Sequence, residues 1–462
     1  MTIKDRAARA STGDVRPDNR LALMDQAFYA GHRATGQKEV MQVAWLYDHD
    51  IDFDGLRRFL QSMSHSLWGR LIERSPLPFA RYRWVADLRP AAVDIAESAR
   101  PRGELGDWFD ERAQLPVDPE QGPAWHIGVL PLTDGSTAIT MVISHYVLDG
   151  LGSVVEVAKA VMGFTQDHGY PPPRSRTRLR ALVQDVGRTA RDVPEVARAL
   201  VAAAKEGRRR QNDVARKAPM ATGLRDERDG HVVVPGIWIL IDMEDWDARA
   251  QALGGASNTL ATGLAAKLGE HLGRRHRDDG DVKMQVIVND RTTEDDTRAV
   301  AVSFARASID PTHVTKDLGD ARRAIKEALK TLRDTPDESS PLLPLAPFTP
   351  RRTWKQLIDW ALNDPDHPAI ISNFGDVGSA VTCPDGTQCQ AAWARGTNQH
   401  ITRQRLERSG GQLQVLFGRL PTVGKISMSI QAYQPGAVTT KPALRELVVR
   451  TLADFDLTGE IE

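Results

Sequence analysis

The chain has 462 residues, 41% of them apolar and 26% charged, which is ordinary for a globular protein and long enough for two cores rather than one. Lys and Arg number 60 against 61 Asp and Glu, so the net charge of −1 offers no global field that would favour nucleic acid. Two cysteines cannot build a disulfide framework, and no stretch approaches the ~18 uninterrupted apolar residues of a membrane span.

Met1 to Asn19 is polar and charged and lacks the apolar core of a signal peptide, so residues 1–19 are expected to be a disordered lead. With the low cysteine content this points to a reducing, cytoplasmic location. Leu21, Leu23, Met24 and Phe28 suggest a short helix, with His32 and Gly36 in the loop beyond it. Val40 to Tyr47 reads as a strand, and Asp52 or Asp54 caps a helix that carries Leu56, Phe59, Leu60, Met63 and Leu67 on one face. Phe79 to Val85 and Trp125 to Leu132 read as further strands. The second of these pairs with Thr137 to Ile143 across the turn Thr133-Asp134-Gly135-Ser136.

Thr137 to Ile143 is short and rich in β-branched residues, the pattern of a buried strand. It runs into Ser144-His145-Tyr146-Val147-Leu148-Asp149-Gly150. Beyond Gly152 the apolar positions Val154, Val155, Ala158, Val161 and Met162 recur at helical spacing. The order strand, polar turn, helix throws a side chain from the strand end into the cleft above the sheet. His145 sits there, and an imidazole with an unperturbed pKa of about 6.5 accepts a proton near neutrality. Asp149 is too close along the chain to be assigned as the group that orients the ring; such an aspartate caps a helix or pairs with an arginine. Gly150 permits a backbone conformation that other residues resist.

A first domain of mixed α/β character therefore covers 20–170. Pro171-Pro172-Pro173 then breaks the motif helix, and 171–230 reads as a basic, helical crossover with Leu179, Leu182, Val183 and Val186 on one face and an interruption at Pro194. The plain reading is a solvated linker. The alternative is a docking surface for an acidic carrier protein or peripheral contact with an anionic membrane. In 231–462 strands are expected at Val232 to Asp242, Val282 to Val288, Ala369 to Asn373, Gln412 to Arg419 and Lys425 to Tyr433. Helices are expected at Met243 to Leu253, from a cap at Asn258 or Thr259 through Leu272, at Lys316 to Arg333 and at Pro442 to Phe455. Pro341 to Pro350 reads as an ordered loop.

Several local patterns lead nowhere. Gly150-Leu151-Gly152 mimics a dinucleotide fingerprint, but Val155 stands where its third glycine belongs. Gly418 to Lys425 is one residue too long for a phosphate loop, and Ile426 replaces the hydroxyl residue. Cys383 and Cys389 flank a hairpin turn without further ligands, so no metal site is expected. There is no Gly-x-Ser-x-Gly elbow of a serine hydrolase.

His145-x-x-x-Asp149-Gly150 at a strand end resembles the HxxxDG motif of the acyltransferase superfamily. That superfamily contains chloramphenicol acetyltransferase, condensation domains of nonribosomal peptide synthetases, polyketide-associated acyltransferases and wax ester synthases. Pro116 to Val129, Met284 to Arg291 and Ile371 to Asp376 resemble further segments of these families. Many relatives carry two adjacent histidines, the second of which does the chemistry; here the first is Ser144 and the second is His145.

The resemblance implies an α/β fold of two chloramphenicol acetyltransferase-like subdomains, each a mixed sheet with flanking helices, forming a V-shaped pseudo-dimer with a channel between them. It implies transfer of an acyl group from a thioester, acyl-CoA or a phosphopantetheinyl carrier protein, to a hydroxyl or amine acceptor, giving an ester or amide. No permanently bound cofactor is implied. His145 would be the general base, and Asp149 would pair with Arg291 to join the motif loop to the second domain. Ser144, Ser372 and Asn373 would donate to the oxyanion or line the channel. A thioester is already activated, so positioning and proton removal suffice without a covalent nucleophile. The reading from another class is a catalytically silent binding or scaffold protein of a biosynthetic assembly, which Ser144 keeps alive.

Overall fold

A computed structural model of the chain describes residues 18–462 apart from 90, 91, 165, 167, 214–229, 292, 294, 336–339, 363 and 365. All but Asp18 and Asn19 of the expected disordered lead lies outside the described residues.

The runs of apolar and β-branched residues resolve into two mixed sheets. The first has five strands in the order Ala391–Gln399, Lys38–Tyr47, Thr137–Ser144, Trp125–Pro131 and Val93–Ile95. The expected hairpin forms, with Trp125 opposite Ile143 and Pro131 opposite Thr137. Thr137–Ser144 is buried along its whole length. One face of the sheet packs on the helices Phe53–His65 and Gly150–Val161 through Leu56, Phe59, Met63 and Val157. The other packs on the helix Leu105–Ala113 and on Trp238 and Leu240 of the second sheet.

The second sheet has seven strands in the order Val302–Ile309, Val282–Asn289, Ala369–Asp376, Gln412–Leu420, Lys425–Tyr433, Gly236–Asp242 and Glu460–Ile461. Ala369–Asp376 runs parallel to both of its neighbours, while the remaining pairs are antiparallel. Trp246, Leu260, Leu264, Leu268 and Leu447 from three helices, Met243–Ala252, Ser257–His271 and Lys441–Asp454, cover one face.

One strand crosses between the halves. Ala391–Gln399 follows most of the second sheet in sequence yet forms the edge of the first, with Lys38 opposite Gln399 and Leu46 opposite Ala391. Its Arg395 is buried and would be costly there without partners. The guanidinium forms an ion pair with Asp110 at 2.7 Å, donates to Gln42 Oε1 at 2.8 Å and lies over the Trp238 ring.

Three helices differ from the sequence expectation. The first runs Leu23–Thr35, so His32 is helical and Gly36, at φ 73°, closes the helix on the His32 carbonyl. Its buried face includes Asp25 and Gln26, polar residues with tertiary partners that apolar periodicity does not count. The crossover helix Arg178–Asp213 continues through Pro194 instead of breaking there. Ala190 and Pro194 are both exposed, so the carbonyl that loses its helical donor faces water rather than the core. The helix Ser257–His271 starts before Asn258, whose side chain instead accepts a hydrogen bond from Asn373. The proline-dense stretch expected as a loop forms a 3-10 segment, Ser340–Phe348, that packs between the crossover helix and Leu23–Thr35.

Candidate active site

His145 is the first residue beyond the buried strand Thr137–Ser144, where the chain leaves the sheet, and its backbone N–H donates to the Glu39 carbonyl at 2.9 Å. The imidazole is half-buried, with Phe28 standing edge-on to it at 5.7 Å. Nδ1 is buried without a hydrogen-bond partner among the described residues, which leaves Nε2 as the nitrogen able to meet a substrate.

Helix Leu23–Thr35 walls this side of the loop. Tyr146 lies 4.9 Å from Phe28 and 4.4 Å from His32, and its hydroxyl donates to the Gln37 carbonyl at 3.0 Å. Burial pushes the His32 imidazole below its ordinary pKa, although the Gln37 carbonyl pulls the other way. Burial likewise raises the Glu39 carboxyl above the usual carboxylate range, opposed by the neighbouring His145 ring and Arg405 guanidinium. Arg405 in turn donates to the Gln37 side chain.

Asp149 is turned away from the imidazole and is fully engaged. Its Oδ1 accepts from the Gly152 N–H at 2.8 Å and so caps the helix Gly150–Val161. Its Oδ2 accepts from Arg291 Nη2 at 2.7 Å and from the Ala301 N–H at 2.9 Å. Arg291 also donates to the carbonyls of Asp296 at 2.8 Å and Arg298 at 3.1 Å. The pair therefore ties the motif loop to the end of Val282–Asn289 and to the return segment 296–301.

The glycines of the motif are set by close approach. A Cβ on Gly152 would lie 2.6 Å from Arg291 Nη2, and one on Gly150 would lie 2.9 Å from the Phe374 ring.

Two charged residues that no local pattern announces complete the clasp. Arg70 is fully buried; it donates to the Val147 carbonyl at 2.8 Å and the Thr297 carbonyl at 2.7 Å and stacks over Trp84 at 3.8 Å. Asp25 accepts from the N–H groups of Ala299 at 3.0 Å and Val300 at 2.9 Å. Burial raises its carboxyl above the ordinary value, against those two donors. Arg70 and Arg291 thus tie the motif loop to one short stretch of the return segment, Arg70 at Thr297 and Arg291 at Asp296 and Arg298 on either side of it.

The remaining sequence candidates are placed as follows. Ser144 is buried opposite Val40, and its backbone serves Ala124 and Val147. Ser372 is half-buried and paired with Leu416. Asn373 is exposed and spends its amide on Asn258 and on the Gly375 N–H. Trp393, which is not one of those candidates, is a core residue whose Nε1 donates to the Ile239 carbonyl at 3.2 Å.

A small apolar cavity of about 40 Å³ lies between the halves beside the motif helix, lined by Val43, Val154, Phe374, Trp393 and Leu416 among others. It holds little more than one water-sized group. A much larger open groove of about 850 Å³ follows the helix Phe53–His65 and shares no residue with the motif loop. Among the described residues no cluster of three or more His, Cys, Asp or Glu is arranged to hold a metal ion.

No protein-family model and no curated protein sequence matches the chain. Solved structures do match over nearly its whole length. The first condensation domain of the CDA synthetase aligns with a TM-score of 0.56 at 12% identity, covering 95% of this chain and 96% of that one. The wax ester synthase/diacylglycerol acyltransferase of Marinobacter aquaeolei aligns at 0.54 and 15%, covering 95% and 98%. The starter condensation domain of rhizomide synthetase, solved with C8-CoA, aligns at 0.50 and 12%, covering 94% of each. The chain has the two-sheet pseudo-dimer fold of condensation domains and their acyltransferase relatives.

Proposed function

We propose that this protein transfers an acyl group from a CoA or carrier-protein thioester to a hydroxyl or amine acceptor, with His145 as general base. The observation that carries the reading is the division of labour in the motif loop. Asp149 is consumed by Gly152, Arg291 and Ala301, so the loop is rigid while the imidazole keeps one nitrogen free. A base on a fixed loop removes the acceptor's proton as its oxygen or nitrogen attacks the thioester carbonyl; the tetrahedral oxyanion then collapses, expelling the thiolate, which leaves protonated as the thiol. Thioester binding is supported by fold alone, through a neighbour solved with C8-CoA.

The second reading is a silent binding protein, favoured by Ser144 in place of a histidine and by an Nδ1 with no described partner to fix the tautomer. Single-turnover thiol release from acyl-CoA and acyl-carrier thioesters, with mixed alcohols and amines, separates the two. Acceptor-dependent release that disappears in His145→Ala supports transfer. Equal release from both proteins, with thioester binding retained, moves the assignment to a binding role.

A further inference from the structure

The crossover helix Arg178–Asp213 turns its apolar side outward. Its inner positions Ala181, Asp185 and Ala199 are buried, and Asp185 is held there by Arg176 and Ser75. On the opposite side Leu179, Val183, Val186, Val193, Leu200 and Val201 are each more than half exposed. Exposed Ala190 and Ala197 fill the gaps between them, so spacings of three and four residues make one continuous stripe. From Leu179 to Val201 it is roughly 33 Å long at the rise of an α-helix. Ordinary solvated helices place polar residues on this face.

Beside the stripe runs a row of cations. Arg180, Arg191, Arg198 and Lys205 recur at spacings of seven and eleven residues, which puts them on a single flank. All four are exposed, and none is in an ion pair among the described residues. An apolar stripe with a basic flank is the form of helix that lies in a membrane interface, its apolar side among the acyl chains and its cations among anionic headgroups. No described helix is long and apolar enough to cross a membrane, so the contact would be peripheral.

We propose that the outer face of this helix docks the protein on an anionic lipid surface. The basic flank argues against a second copy as the occupant: an antiparallel two-fold pair of these helices brings the two cationic rows side by side. The helix is joined to the candidate site through two packed elements. The inner side of the helix packs on Ser340–Phe348, which packs on Leu23–Thr35, whose Phe28 touches His145. The proposal does not depend on the acyl-transfer reading.

The test is co-sedimentation of the full-length protein with phosphatidylcholine vesicles, with and without phosphatidylglycerol. Two multiple variants accompany it, one replacing Leu179, Val183, Val186 and Leu200 by Gln and the other replacing Arg180, Arg191, Arg198 and Lys205 by Gln. All these positions are exposed, and circular dichroism checks that the fold is kept. The expected result is pelleting only with phosphatidylglycerol vesicles, weakened by salt, lost in the apolar variant and reduced at least several-fold in the charge variant. Wild type remaining in the supernatant, or either variant pelleting as fully as wild type, overturns the proposal. So does a dimer in light scattering that the apolar variant dissolves, or an acidic carrier protein that binds this face while vesicles do not.

Discussion

Asp149 and Arg291 lie 142 positions apart in sequence and meet at 2.7 Å, with side chains only 4% and 8% exposed. Removing one partner of such a pair strands a buried charge, at a cost of about 3–5 kcal/mol. Arg291→Met is therefore expected to lower the urea midpoint strongly. Adding Asp149→Asn should restore part of the loss, with a coupling of about 1 kcal/mol or more in the double-mutant cycle. Strictly additive losses would show that the two side chains stabilise the loop independently.

Gly152 meets the same arginine. A methyl at this position falls 2.6 Å from Arg291 Nη2 and 2.7 Å from Leu148 Cδ1. Arg291 cannot retreat without giving up its acceptors, so Gly152→Ala should destabilise by about 1–3 kcal/mol. Gly187, on the exposed crossover helix, has nothing within 4 Å of its Cβ position. Gly187→Ala should be neutral or stabilising by up to about 1 kcal/mol. Thermal unfolding of both variants tests the contrast.

His126, on the strand that pairs with the motif strand, is pushed down to about 4 by burial and by the Arg112 guanidinium beside it. The native ring stays neutral while the unfolded ring takes up a proton near its ordinary value of about 6.5. Stability is therefore at its full level above about 6.5 and declines as the pH falls toward about 4. Over that window this one group removes on the order of 3 kcal/mol. His126→Gln should flatten this limb of a stability profile measured by urea unfolding; an unchanged slope between wild type and variant would assign the acid sensitivity to other groups.

His145→Ala separates chemistry from architecture. The ring is half-buried, and its Nδ1 holds nothing, whereas the loop is held by Asp149, Arg70 and Arg291. The variant should keep its melting temperature within a few degrees and lose acyl transfer by about 10²–10⁴-fold. A variant that fails to fold would make His145 a structural residue.

The motif region was legible in sequence because its signals are local: a β-branched strand, a polar turn and a helical repeat follow one another without a gap. The hairpin of Trp125–Pro131 with Thr137–Ser144 was legible for the same reason. Ala391–Gln399 was not. Arg395, Gly396 and Asn398 interrupt any apolar pattern, and the strand is stabilised by Asp110 and Gln42, nearly three hundred or more positions away. Arg70 and Asp25 escaped notice because most of their partners are backbone groups, those of Val147 and of residues 297–300, and a backbone partner leaves no mark on composition. The Asp149–Arg291 contact was anticipated through family resemblance, whereas the Gly152 cap and the Ala301 donor emerge only from the fold.

The crossing strand has a consequence for how the molecule is made. Until residue 399 has left the ribosome, Lys38–Tyr47 can pair on one side only, and its other edge stands open as a template for any passing strand. The N-terminal portion synthesised alone, up to the proline triplet, would carry that unpaired border permanently and should associate with copies of itself. Biogenesis thus spans almost the entire chain, and cutting the gene at the crossover would yield two fragments that need each other to become soluble.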